Sequence, residues 1–292
     1  MSDGLPTGEL RLAPAWAPPA RFWLAWPRGS GDDGVDDAAR GDCVALADLL
    51  SLHAPVTLVA DPEDVAACSL RTPPSIATLA AVRDILLPMA GQAPLFLIDR
   101  TLHRAAAFDP GGPLAAALLE AAASPILPAP HGLAAGMIDS DGEGSAVGAA
   151  ADTVWSGVAA ALERWAGIER IIRVDDGGTG RVAAEVRFLA PGTVAIAAGD
   201  ANRAALAAAI DARGRRLRLV ELPRPRKRPG SYTDVIIAGR LVVVPEFGDG
   251  RDGEALDRLA AALPGRIVEP FPATLLAPPG MGLGAVVAVM PA

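Results

Sequence analysis

The sequence predicts an α/β protein built from five repeated strand–helix–strand modules that close radially into a propeller. Three observations predict it. An apolar strand, a Gly/Asp-rich turn, an Ala/Leu-rich helix and a second apolar strand recur along the chain. The later copies keep an even period of roughly 50 residues, the signature of supersecondary units that bury their apolar faces against one another. No stretch between copies reads as a linker, so residues 1–292 form a single domain. A doubly wound sheet also alternates strands and helices, but it does not require five copies of near-equal length.

The first module opens with the strand Phe22-Trp23-Leu24-Ala25-Trp26-Pro27, followed by a helix over Val44–His53 and a strand over Val56–Ala60. The gap to the next copy, at Leu95, is longer than the others and leaves room for an extra helix around Ile76–Leu86. That second copy runs from Leu95–Asp99 into a helix over Pro113–Ala123. The third runs from Ser145 through a helix ending near Gly167 into Ile168–Val174. The fourth starts at Thr193, with its helix over Arg203–Gly214 and its return strand from Arg215. The fifth starts at Leu241, with its helix near Glu254–Leu263 and its strand reaching Phe271. In that last helix Leu256, Leu259, Ala260 and Leu263 share one face. The strand runs are rich in Val, Ile and Leu, as expected where helices cover a sheet. Trp23 and Trp26 are expected to pack in the core rather than line a ligand site.

Bulk chemistry excludes some functions. The chain has 26 Lys+Arg against 34 Asp+Glu, a formal charge of −8, and such a surface repels phosphate backbones, which argues against nucleic acid. The one basic run, Arg224-Pro225-Arg226-Lys227-Arg228, is short and broken by proline, and reads as a solvated loop. The start, Met1-Ser2-Asp3-Gly4, lacks the basic and apolar regions of a signal peptide. No stretch approaches the roughly 20 apolar residues of a membrane helix. A soluble, cytoplasmic, reduced protein is the expectation.

The two cysteines, Cys43 and Cys68, have no metal-type spacing and do not make a disulfide framework. Cys43 shares a helical face with Leu46 and Leu50, and Cys68 follows the helix start Asp61-Pro62-Glu63-Asp64, so both read as small core residues. His53 ends the first long helix, where a histidine suits the dipole. His103 and His131 take no role. Asp175-Asp176-Gly177-Gly178 reads as a turn rather than a cation site. Gly280-Met281-Gly282-Leu283-Gly284 is spaced like a dinucleotide loop but has no helix after it. Neither a cofactor nor a metal is expected.

Several segments, in order along nearly the whole chain, resemble the agmatine deiminase and bacterial-type (Porphyromonas-type) peptidylarginine deiminase family. Trp16 and Phe22–Pro27 resemble its opening tryptophan and TWMAWP strand. Asp141-Gly142-Glu143-Gly144-Ser145 resembles DGEGT, and Arg187-Phe188 with Pro191-Gly192 resembles RFxxPG. Ser231-Tyr232-Thr233-Asp234 resembles SYTN, Val244-Pro245-Glu246-Phe247-Gly248-Asp249 resembles VPxFGD, and Pro264-Gly265-Arg266 resembles PGR. The resemblance implies the guanidino-group-modifying (pentein) fold, five ββα-type modules with pseudo-five-fold symmetry.

The family hydrolyses a guanidinium to a ureido group and ammonia. A thiolate attacks the central carbon, a histidine moves protons, and carboxylates receive the guanidinium N–H groups. The nucleophile lies in GGGxHCxTxQxP. Anchored on Pro291, its position falls on Ala285 and the preceding histidine on Gly284. In TGH[IV]DxxARF, matched to Thr179–Phe188, the histidine falls on Arg181 and the carboxylate on Ala183. The aspartate of WxRDxGPxFVVD falls on Gly91, and the glutamate of EGG on Ala134. None of the catalytic residues is retained at Gly91, Ala134, Arg181, Ala183 and Ala285.

The expectation is therefore a family member that lacks hydrolase chemistry and serves as a binding or assembly scaffold. Two alternatives stand beside it. One is an active deiminase acting on a guanidino substrate, which needs Cys43 or Cys68 in the central pocket. The other is an anion-binding module using Arg181, a permanent cation suited to carboxylate or phosphate. The partners expected are a protein or a small anionic ligand, not nucleic acid or a membrane, and a homo-oligomer is compatible with the architecture.

Overall fold

The computed structural model describes residues 10–29, 31–80, 89–149, 155–199 and 201–292. The chain start at Met1–Gly4 lies outside them. β1 (Arg11–Leu12) and β2 (Pro19–Ala25) lead into α1 (Asp33–Ser51), β3 (Val56–Ala60), α2 (Val65–Arg71) and β4 (Ala77–Ala80). The short α3 (Met89–Gln92) precedes β5 (Leu95–Ile98), β6 (Arg104–Asp109), α4 (Pro113–Ala122) and β7 (Ile126–Pro128). Then come β8 (Ile138–Ser140), β9 (Ser145–Ala149), α5 (Trp155–Ala166) and β10 (Arg170–Val174). They are followed by β11 (Val186–Ala190), β12 (Thr193–Ala197), α6 (Arg203–Ala208) and β13 (Arg218–Leu222). The last set is β14 (Ile236–Ala238), β15 (Leu241–Glu246), α7 (Asp252–Ala262) and β16 (Ile267–Pro272), closed by β17 (Val287–Pro291).

These strands form five small sheets ordered β17-β2-β3-β4, β1-β5-β6-β7, β10-β9-β8, β11-β12-β13 and β14-β15-β16. One plan recurs. A strand (β2, β6, β9, β12 or β15) feeds a helix that returns to a parallel neighbour, the connection a parallel pair requires. On its other side the same strand has an antiparallel partner, β5, β8, β11 or β14, just before it in sequence. For β2 that partner is the C-terminal β17, so the two ends of the chain share a sheet.

The apolar clusters join one sheet to the next. Trp23, Val59 and Met290 pack with Phe96, Leu118 and Leu119. Leu97 and Phe108 pack with Ile138, Ala146 and Leu162. Val147 and Ile172 meet Phe188, Val194 and Ile196. The largest cluster carries Leu189, Ala195 and Leu222 against Val242, Val244 and Leu259, and these against Phe22, Leu46 and Leu58. Trp23 stacks on Phe96 at 6.0 Å between ring centroids, and Trp26 lies in the largest cluster, so both tryptophans serve packing as expected.

Four sequence expectations need correction. The strand feeding α4 is β6, not the Leu95–Asp99 run, which is its antiparallel partner. Both runs are apolar because both are buried, and periodicity does not distinguish them. In the long first gap the helix is α2, and Ala77–Ala80 is a strand, paired in parallel with β3; residues 81–86 lie outside the described residues. The helix expected over Arg203–Gly214 stops at Ala208. Asp211 ends it: Oδ1 accepts the N–H groups of Arg213 and Arg215, and Oδ2 accepts from the Arg215 side chain, a turn that competes with helix. In α7 the expected face holds for Leu256, Leu259 and Leu263, which pack in the largest cluster, but Ala260 is exposed.

Candidate functional site

Four short elements meet between the sheets. They are α3 and three single 3₁₀ turns, Ala135–Met137, Val182–Ala184 and Leu283–Ala285. α3 packs on the first and third turns, and the first turn packs on the second. They carry the positions singled out from the sequence. Gly91 is in α3, Ala134 precedes the first turn, Arg181 precedes the second, Ala183 is in it, and Ala285 ends the third. The approach is close: a Cβ on Gly136 would lie 2.8 Å from the Gly180 carbonyl oxygen and 3.4 Å from Gly91 Cα. The five positions, distant in sequence, thus come together.

The segment Ser231–Asp234 fixes this arrangement. Ser231 Oγ donates to the Ala184 carbonyl at 2.6 Å, and Thr233 Oγ1 to the Ala183 carbonyl at 2.9 Å. Asp234 is fully buried and receives the Arg181 guanidinium. Nε reaches Oδ1 at 3.0 Å and Oδ2 at 3.1 Å, and Nη2 reaches Oδ1 at 2.9 Å. Nη2 also donates to the Gly284 carbonyl at 2.9 Å, while Gly282 N–H donates to Asp234 Oδ2 at 3.1 Å. Arg181, the candidate for an anionic ligand, thus already has an acid partner within the chain. The side chain is buried and its charge is matched by a carboxylate that sequence reasoning assigned no role.

The glycines of the C-terminal loop also find their reason here. A Cβ on Gly282 would press into the Asp234 and Ser231 carbonyl oxygens, and one on Gly284 would press into Asp234 Oδ1 and lie 2.8 Å from the Val235 carbonyl. They permit close packing of backbone against a buried acid, not nucleotide binding.

A second pair, with a buried acid and a partly buried arginine, lies beside the first. Asp139, on β8, accepts the Phe188 N–H at 2.7 Å and lies 3.6 Å from Arg187 Nη1. Burial pushes the Asp139 carboxyl above its ordinary range, opposed by Arg187, the Phe188 N–H and Arg181, while Asp234 adds to the rise. Arg187 is underbonded, because its buried Nε has no hydrogen-bond partner among the described residues. Arg181, Arg187, Asp139 and Ser140 are the polar side chains lining a cavity of about 150 Å³ whose lining is otherwise mostly aliphatic, with Phe96. The sequence carried no signal for Asp139. Arg187 and Asp234 lay inside family-like segments without an assigned part.

Other candidates lie elsewhere. Cys43 and Cys68 belong to the largest apolar cluster and neither lines the cavity. Burial pushes both thiols up, with a further rise at Cys43 from Cys68 and Asp42; at Cys68 a bond to Thr78 opposes the rise and Asp64 adds to it. His53 lies just past α1, His131 is exposed, and His103 is held in the β5–β6 turn, its Nδ1 2.8 Å from Thr101 Oγ1. Asp175 and Asp176 accept the N–H groups of Gly177 and Gly178, which makes them turn residues. The 224–228 loop is held by Arg224 against Glu185 and by Asp249, which accepts the N–H groups of Arg226 and Lys227. Among the described residues no group of three His, Cys, Asp or Glu is placed to hold a metal ion.

Known proteins resemble the chain over this same architecture. A curated protein of Streptomyces coelicolor, "Putative agmatine deiminase", is 28% identical over 311 residues, covering 88% of this chain and 92% of that one. The solved agmatine deiminase of Enterococcus faecalis superposes with a TM-score of 0.84 at 18% identity, over 97% of this chain and 96% of that one. That of C. jejuni gives 0.77 at 16% identity, over 96% of this chain and 95% of that one. At these identities the solved structures establish a shared mixed α/β fold. Residues 113–286, more than half of the chain, match the family model of the Porphyromonas-type peptidyl-arginine deiminases. The chain belongs to the Porphyromonas-type peptidyl-arginine deiminase family.

Proposed function

We propose that this chain is a non-hydrolytic member of its family, a five-module propeller retained as a binding or assembly scaffold. The observation that carries the reading is Ala285 at the position where the family resemblance puts the nucleophile. Thiolate attack needs a sulfur within reach of the guanidinium carbon, and none of the described cavity-lining residues is a cysteine or a histidine. Loss of a nucleophile alone lowers turnover in another hydrolase by on the order of 10⁶. Here the family's carboxylate positions are also Gly91, Ala134 and Ala183. The acids that remain nearby, Asp234 and Asp139, already face the chain's own Arg181 and Arg187. A substrate guanidinium entering the cavity would compete with two tethered ones.

Radial closure of the modules belongs to the same reading. It is supported by apolar clusters that link each sheet to the next in chain order and the last to the first, and by the pairing of β17 with β2. A cytoplasmic location is part of the proposal. Among the described residues no helix is long and apolar enough to cross a membrane.

The names of the relatives favour a second reading, hydrolysis of a guanidino substrate by a rebuilt site. Ammonia release from agmatine and from arginyl peptides, measured beside a genuine deiminase, separates the two. The scaffold reading expects none above blank. Turnover abolished by alkylating Cys43 or Cys68 would overturn it.

A further inference from the structure

We infer that the central cavity is a binding site for a short-chain monocarboxylic acid, its carboxylate held by Arg187 and its alkyl tail by the aliphatic walls. A cavity of about 150 Å³ has the size that accepts a ligand of roughly six heavy atoms. Leu12, Phe96, Ile237 and Val289 supply apolar lining and Arg187 and Arg181 lie near Asp139, so an amphipathic occupant with a small head fits the cavity.

The head is specified by which donors remain free. Nε and Nη2 of Arg181 are committed to Asp234, and Nη2 also to the Gly284 carbonyl. Arg187 is different. Its one described carboxylate contact, from Nη1 to Asp139 Oδ1, is at 3.6 Å, longer than a hydrogen bond, and its side chain keeps 13% exposure. A carboxylate fits the planar guanidinium fork through its terminal N–H groups. A cation is disfavoured because the cavity already holds two guanidinium groups.

Charge balance agrees. Asp139 faces Arg187, Arg181, Asp234 and the Phe188 N–H, and burial raises its proton affinity. An incoming carboxylate adds a like charge and raises it further, so binding takes up a proton at Asp139 and leaves Arg187 to the ligand. The inference depends on the cavity's geometry and not on the absence of hydrolysis.

The test uses butyrate, with butylammonium as its isosteric opposite, in calorimetry and thermal melts of the full chain. Butyrate is expected to bind one to one and raise the Tm, and butylammonium to do neither. Arg187→Met removes the head contact and is expected to weaken butyrate by on the order of 100-fold. Ala90→Leu narrows the cavity at a lining position other than the arginines and is expected to abolish binding, so a poorly folded Arg187→Met does not leave the question open. Equal binding of butyrate and butylammonium would overturn the inference. So would undiminished butyrate affinity in folded Arg187→Met or Ala90→Leu, or failure of every acid from acetate to hexanoate to bind.

Discussion

Removing Arg181 tests whether the centre of this protein is held by its own guanidinium. In Arg181→Met the methylene volume is largely kept, but fully buried Asp234 keeps only the Gly282 N–H as a described donor. Breaking a buried pair from one side costs about 3–5 kcal/mol, because a charge is left without compensation. At about 2–4 °C per kcal/mol for a chain approaching this size, the Tm should fall by roughly 10 °C. Asp234→Leu should cost a similar amount, stranding Arg181 with the Gly284 carbonyl. The double variant should recover most of the loss, since a buried pair replaced by apolar residues is often near neutral. Urea and thermal melts followed by circular dichroism measure all four corners of the cycle. Single losses below about 1 kcal/mol, or a double variant that is simply additive, would refute the argument that these groups form one desolvated unit.

Three further outcomes follow from the same geometry. Asp139→Asn should stabilise the protein near neutral pH and flatten its pH dependence. The raised Asp139 carboxyl holds its proton longer in the folded state than in the unfolded one, so the wild type loses stability as pH rises through the gap between the two values, seen as Tm against pH. Ala285→Cys alone should release no ammonia from agmatine, because the backbone at Gly284 has no room for a histidine beside Asp234 and Gly91, Ala134 and Ala183 supply no carboxylate. Native-state thiol labelling should leave Cys43 unmodified at neutral pH, where burial keeps its thiol protonated, and denaturant should expose it.

Much of the architecture is legible in sequence because each module repeats one local problem. β12–α6–β13 and β15–α7–β16 alternate a Val/Ile-rich strand with an Ala/Leu helix, and any such unit must cover its strands with its helix. The burial of Cys43 with Leu46 and Leu50 follows from helical spacing alone. The choice of β6 over β5 as the strand feeding α4 did not, since two adjacent buried strands carry the same apolar signal. The early end of α6 also escaped, because it depends on side-chain and backbone bonds at Asp211 that outweigh alanine's helix propensity.

The same division runs through the candidate site. The sequence by itself led to Gly91, Ala134, Arg181, Ala183 and Ala285 as the positions to look at, because a resemblance needs only motifs in order. Only the tertiary structure decided that Arg181 is neutralised by Asp234, 53 residues away, and that Arg187 is left facing a cavity beside Asp139. The physical reason is that a charge's effect is set by what lies within a few ångströms of it in a desolvated interior. That neighbourhood is assembled by chain segments whose spacing in sequence carries no record of their meeting.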